Sequence, residues 1–200
     1  MFIEMSKRNY RMRERAFSQE RTRQRIVEAA AALHGSVGPK ETSVSAVARE
    51  AGVQRLTVYR HFPDEASLFR ACSSHWLSEN PPPDPAAWQR LPDAGERSAA
   101  ALDALYAYYR ATEYMWSLVY RDRDEVPAMG ESLSEFEAWL DAIRDDLALV
   151  WHPRGRKPKI LMATIGHVLR FETWHSLAGL GLSDAQARDA AVGWIAASLD

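Results

Sequence analysis

The segment from Thr42 to Phe62, TSVSAVAREAGVQRLTVYRHF, constrains the fold of this 200-residue chain more than any other part. Val44, Val47, Ala48 and Ala51 follow the i, i+3, i+4, i+7 spacing of one helix face, which predicts a short helix over 43–51. Thr42 or Ser43 can cap its start, and Gly52 ends it. A second short helix fits 54–61 and has few apolar anchors, Val58 and Phe62, four residues apart. Two such helices across a tight turn have the grammar of a helix-turn-helix. A helix held by so few buried side chains keeps its other face free to enter a major groove. Taken alone, the same pattern also fits a solvated helical hairpin.

The exposed residues of the second helix sort by chemistry. Gln54 and Arg55 have the donor–acceptor geometry that suits adenine and guanine edges. Leu56 and the Thr57 methyl group suit thymine methyls, and Arg60 lies among the same polar residues. Thr42, Ser43, Tyr59 and His61 suit phosphate oxygens, contacts that position a protein on DNA without reading sequence. Charge supports this placement. Residues 1–70 carry a balance of +5 and residues 71–200 a balance of −7, within a net −2. A basic head on an acidic body implies that only the head meets a polyanion.

Helical periodicity dominates the whole chain, and no strand pattern stands out. A first helix fits 19–34, with Ile26, Ala29, Ala30 and Leu33 on one face. Residues 1–18 show no clean stripe and read as a mobile basic arm. Asp64 can cap a fourth helix that turns Leu68, Phe69, Cys72 and Trp76 inward. The stretch 79–97 holds five prolines and cannot be a continuous helix, so it reads as a joint. All seven tryptophans lie at or beyond Trp76. Residues 152–159, HPRGRKPK, form a basic loop before helices expected at about 158–179 and 184–199. Between Ile160 and Ala178 only Arg170 and Glu172 are charged, so the penultimate helix is apolar nearly all round. Such a helix is buried on both sides. Either it is the central helix of a monomer, or a second copy of the chain covers it, as expected for the common two-fold dimer.

Residues 22–72 resemble the N-terminal domain of the TetR (tetracycline-repressor) family of transcriptional regulators. The resemblance rests on Arg25-Ile26, Ala29-Ala30, Thr42, Val47-Ala48, Ala51-Gly52-Val53, Thr57-Val58-Tyr59, His61-Phe62 and Leu68. It implies a homodimer with a three-helix DNA-binding head. It also implies a fourth helix leading to a ligand-binding core, and dimerisation through the last two helices. By position it makes Thr42, Tyr59 and His61 phosphate contacts, and Gln54, Arg55, Leu56 and Thr57 the base-proximal face. Two positions depart from the family pattern. Leu56 stands where a small residue is frequent, and Glu65 stands where a lysine often begins the fourth helix. The eight lysines and arginines between Lys7 and Arg25 can supply replacement charge.

The second part holds an aromatic inventory that includes Tyr106, Tyr109, Trp116, Tyr120, Phe136, Trp139, His167, Phe171 and Trp174. Such residues can line an apolar cavity for an amphipathic or aromatic small molecule, or simply fill a core. The resemblance implies the cavity, with effector binding changing the spacing of two DNA-binding heads. No catalytic motif is found: there is no nucleophile elbow, no phosphate loop and no dinucleotide fingerprint. The six histidines are scattered without metal-ligand spacing, so neither a metal nor a cofactor is expected. Cys72 reads as inert core, and Asp122, Asp124 and Glu125 as a solvated face. No uncharged stretch, Thr173–Ser183 included, is long enough to span a bilayer as a helix.

The expectation is therefore an all-α, cytoplasmic, homodimeric transcriptional regulator of about nine helices. Its parts are a basic arm at 1–18, a helix-turn-helix domain at 19–63, and a ligand-binding and dimerisation domain at 64–200. Its partners would be a palindromic DNA operator and a small effector that relieves repression. The competing expectations are an architectural DNA-binding protein without effector, and a small-molecule-binding protein or enzyme whose helix-turn-helix is only scaffold.

Overall fold

The computed structural model describes residues 2–152 and 158–199, with side chains from residue 10 onward. Most of the basic stretch expected as a loop at 152–159 lies outside the described residues. Those residues form nine α-helices and two short 3-10 turns, without a strand. The helices are α1 (Phe2–Ser36), α2 (Val44–Glu50), α3 (Arg55–His61), α4 (Glu65–Glu79), α5 (Ala94–Asp122), α6 (Gly130–Trp151), α7 (Lys159–Val168), α8 (Phe171–Gly179) and α9 (Asp184–Ala197). None is long and apolar enough to cross a membrane. The chain divides into two compact units, Met1–Glu79 with Leu118–Ser132, and Asn80–Ser117 with Leu133–Asp200.

In the first unit, α1 begins far ahead of the start at residue 19 that periodicity suggests. The stretch expected as an arm is helical from Phe2. The reason is composition: no glycine or proline precedes Gly35, and Arg, Glu, Gln and Met are good helix formers. The missing apolar stripe means only that the residues from Tyr10 to Arg21 are exposed. Farther along, Ile26, Val27, Ala29 and Ala30 are buried. They pack in one cluster with Val47, Ala48, Ala51, Val58, Phe62, Leu68 and Cys72, which closes α1–α4 around a small core. His34 is buried in the same region, stacked on Phe69 at 4.9 Å, with its Nδ1 3.4 Å from the Cys72 sulfur. Burial holds the His34 imidazole down at about 4 and pushes the Cys72 thiol up to about 12, so both are neutral at pH 7.

A polar clasp closes the far side of this unit. Asp122, expected on a solvated face, is only 1% exposed. Its carboxylate accepts from the Lys40 backbone N–H at 3.0 Å and from the Arg121 Nε at 2.6 Å. The Arg121 side chain, its main hydrogen-bond donor, holds this carboxyl below the usual carboxylate range against the opposing effect of burial. Arg121 also donates to the Val37 carbonyl, and Lys40 pairs with Glu125 at 2.7 Å. The loop can approach this closely because residue 38 is glycine. Its φ is +98°, and a Cβ there would fall on the Arg121 guanidinium and the Asp122 carboxylate.

In the second unit, α5 enters as one continuous helix and buries Leu102, Leu105, Tyr106 and Tyr109. The single helix expected at 158–179 is instead two, α7 and α8, with Arg170 in an extended conformation between them. Residues 167–171 contain neither glycine nor proline, so the break has a tertiary cause. The Tyr106 hydroxyl donates to the Val168 carbonyl at 2.9 Å and the Tyr109 hydroxyl to the Leu169 carbonyl at 2.8 Å. The Thr173 hydroxyl donates to the His167 carbonyl at 2.6 Å. Side-chain donors thus satisfy the carbonyls that the break releases. Ser183 and Gln186 then form a reciprocal capping box that starts α9.

Two stability experiments test this arrangement. Gly52→Ala places alanine at a φ of +63° in open space and should cost about 1 kcal/mol. Gly38→Ala adds a collision with the clasp and should lower the denaturation midpoint clearly more; equal losses would contradict the close approach. The pH profile has a definite sign. The unfolded His34 takes up a proton near its ordinary 6.5, whereas the folded one resists until about 4. Stability should therefore be full above pH 6.5, fall as pH drops towards 4, and lose about 3 kcal/mol from this group. His34→Leu should flatten that interval of a urea-melt series, leaving the Asp122 contribution to disappear at lower pH.

Candidate nucleic-acid interface

The residues singled out in the sequence converge on one short helix and the start of another. α2 is capped by Ser43, whose Oγ accepts from the Ala46 N–H at 3.1 Å. The Ser43 hydroxyl proton is thereby left to donate elsewhere. Thr42 behaves differently. It is half-buried, and its hydroxyl donates to the Gly38 carbonyl at 2.8 Å, so that proton is already used inside the head. The turn to α3 follows from Gly52, at φ +63°, and from the Val53 N–H bonded to the Ala48 carbonyl at 2.9 Å.

α3 is held from beneath by Val58, 1% exposed, and Phe62, 3% exposed. Every other residue from Gln54 to His61 has surface. Gln54, Arg55, Leu56, Tyr59 and Arg60 are exposed, and Thr57 and His61 are half-buried. Leu56 is 61% exposed, unusual for a leucine. Gln54 occupies the N-cap position without spending its side chain on a cap bond. Arg55 and Tyr59, one turn apart, are coupled. The guanidinium lies 5.5 Å from the ring centroid, and its Nη2 donates to the Tyr59 hydroxyl at 3.0 Å. The tyrosine therefore holds the arginine extended along the helix and keeps its own proton available to an acceptor. Behind the helix, Arg23 of α1 covers the Phe62 ring at 4.9 Å. That contact between α1 and the end of α3 is not visible in local spacing.

At the start of α4, Asp64 accepts from the Ser67 N–H at 2.6 Å and so caps the helix that Glu65 opens. The Ser67 N–H bond holds the Asp64 carboxyl below its ordinary range. Both acidic groups serve the helix end.

Most of the nine residues expected at a ligand site meet through their rings. Tyr109, Phe171 and Trp174 pack together with ring centroids 5.5–6.0 Å apart, and the Trp174 Nε1 donates to Asp184 at 3.0 Å. Tyr106 is fully buried and spends its hydroxyl on the α7–α8 break. These four are core. A second group joins Trp116 to Phe136 at 4.3 Å and Phe136 to Trp139 at 5.3 Å. Tyr108, absent from the nine, joins the two groups, 6.4 Å from Trp116 and 5.9 Å from Tyr109. Burial pushes the Tyr108 phenol up to about 12. The His167 side chain is exposed, and Tyr120 belongs to the first unit.

Residues 26–72 match the sequence profile of bacterial regulatory proteins, tetR family. This head is a TetR-family domain. The match covers α1 from Ile26 through Cys72 of α4 and so contains the whole helix-turn-helix. Solved structures agree in fold across most of the chain. A candidate fatty acid metabolism regulator from Clostridium perfringens superposes with a TM-score of 0.62 at 15% identity, covering 87% of this chain and 97% of its own. The multidrug binding protein EbrR, in complex with imidazole, gives 0.61 at 20% identity, covering 86% and 89%. A candidate TetR-family regulator from Mesorhizobium loti gives 0.60 at 21% identity, covering 90% and 96%. A comparison with curated proteins found no match.

Proposed function

We propose that this chain is a homodimeric transcriptional regulator that places α3 of each copy in the major groove of a two-fold symmetric operator. We propose further that it represses and that a small hydrophobic or aromatic effector releases it. The observation that carries the reading is the division of α3. Val58 and Phe62 are sealed into the head, while Gln54, Arg55, Leu56, Tyr59 and Arg60 stand exposed on a TetR-family domain. The regulator would act in the cytoplasm, where its DNA is.

The dimer reading is supported by apolar surface that the second unit leaves uncovered. Ile160 is 69% exposed, Leu180 76%, Trp194 44% and Leu199 40%, all within or beside α7–α9. The outward residues His175 and Ser176 show that α8 is not apolar all round, so the surface offered to a partner centres on α9 and the ends of α7 and α8. For the effector, Tyr108, Trp116, Phe136 and Trp139 are the favoured aromatic group, because Tyr106, Tyr109 and Trp174 spend their polar atoms on the Val168 and Leu169 carbonyls and the Asp184 carboxylate. The similar fold of EbrR, a multidrug binding protein, supports an aromatic or amphipathic ligand. Such a ligand would alter operator affinity only by its differential binding to two dimer geometries.

Selection of bound sequences from random DNA tests the reading. A two-fold symmetric consensus is expected, and failure to bind any duplex at low salt would overturn it. Arg55→Ala should relax preference at one base position, by about 1–3 kcal/mol of discrimination. Equal losses on consensus and random duplex from Arg55→Ala would contradict its assignment as a base reader. Light scattering should give the mass of two chains at micromolar concentration, and Trp194→Glu should shift it towards one.

A further inference from the structure

The helical extension at the start of α1 has a face of its own. At about 100° per residue, Arg11, Arg15, Ser18 and Thr22 fall on one stripe, which continues into Ile26 and Ala29. The last two are buried in the head, 0% and 6% exposed. Arg11, Arg15 and Ser18 are exposed. An unbroken helix fixes the azimuth of every residue along it, so burial of Ile26 and Ala29 sets the side on which Arg11 and Arg15 project. Glu20 and Arg13 lie on the opposite side, and Glu14 borders the stripe beside Arg11 and Ser18. The stripe is therefore basic where it leaves the core, although the extension as a whole carries both signs.

An open groove of about 600 Å³ runs beside it, between α1 and α3. Ser18, Gln19 and Thr22 line it from α1, and Thr57, Arg60 and His61 from α3, with Glu20 as the carboxylate among the lining residues. From Thr22 to Arg11 the helix rises about 16 Å.

We infer that this extension is a second DNA-contacting element: a rigid strut whose Arg11–Arg15 face follows a phosphate backbone beside the major groove that α3 enters. The inference rests on the proposed DNA-binding function and adds a site outside the helix-turn-helix. Charge complementarity selects the occupant. Two exposed guanidiniums one turn apart, followed by the Ser18 hydroxyl and the Gln19 amide and then by Arg60 across the groove, form a row of donors to phosphate oxygens, whereas the Thr22 hydroxyl is already given to the Ser18 carbonyl at 2.9 Å. A helix already formed holds these arginines in register, whereas a disordered arm would have to be ordered on binding. Contacts of this kind add affinity on every sequence and none in discrimination.

The test uses the full chain and a random-sequence duplex, with binding followed by fluorescence anisotropy across a series of salt concentrations. R11A/R15A should make the log–log salt slope shallower by about 1.8 per head, at about 0.9 for each phosphate lost. Its affinity should fall at least tenfold at low salt. R13A/R21A removes the same charge away from the stripe and should keep the wild-type slope. A16P retains both arginines but interrupts the helix, and should lose as much as R11A/R15A. Circular dichroism and the melting temperature check that the head stays folded in each variant. A wild-type slope in R11A/R15A, or an equal change in R13A/R21A, would overturn the assigned face. A wild-type slope in A16P would overturn the rigid strut and leave a mobile basic tail. If the wild-type chain bound no duplex, the DNA-binding reading would fail first; if it bound and R11A/R15A matched it, the role of the extension alone would fail.

Discussion

Burial of Val58 and Phe62 beneath α3 is the contact on which the head depends. A seven-residue helix is too short to be stable in water by itself. It persists because two apolar side chains, worth about 1.5–3 kcal/mol each when fully buried, tie it to the cluster built by α1, α2 and α4. Since those anchors lie one turn apart on a single side, Arg55, Leu56, Tyr59 and Arg60 are turned outward, with Thr57 and His61 half-buried at the edge. The same division explains why an exposed Leu56 persists and why Arg55 and Tyr59 meet each other and not the core.

The surroundings of that core are polar but closed. His34 and Cys72 lie against it as neutral groups, and Asp122 sits buried under Lys40 and Arg121. Buried ionisable groups are tolerated when they stay neutral or find donors, and both solutions occur here within one unit. In the second unit the governing contacts are hydrogen bonds from phenols to a broken helix. Tyr106 and Tyr109 bring hydroxyls into an apolar interior, and the gap between α7 and α8 supplies the carbonyls they need. Neither the tyrosines nor the break would be stable without the other.

Much of this was legible in the residue order. The stripe Val44, Val47, Ala48, Ala51, the glycine at 52 and the pair Val58 and Phe62 specify two short helices and their turn, because such periodicity is a local property of the backbone. The Ser43, Asp64 and Ser183 caps were legible for the same reason. The start of α1 was not, because an exposed helix needs no stripe and shows only through the absence of breakers. Tyr108 carries no separate signal, because the stripe through Leu102, Leu105, Tyr106 and Tyr109 accounts for the core face of α5 without it.

What the sequence by itself determined is the set of helices with local signals and the identity of the exposed side chains on α3. Tertiary structure alone decided the break at Arg170, the burial of Asp122, the coupling of Arg23 to Phe62, and the contacts of Tyr109 with Phe171 and of Trp116 with Phe136. Each of these depends on partners tens of residues away, across distances that helical spacing does not encode. A hydroxyl more than 60 residues upstream satisfies the carbonyl of Val168, so no reading of the residues around that carbonyl reveals that the helix ends there.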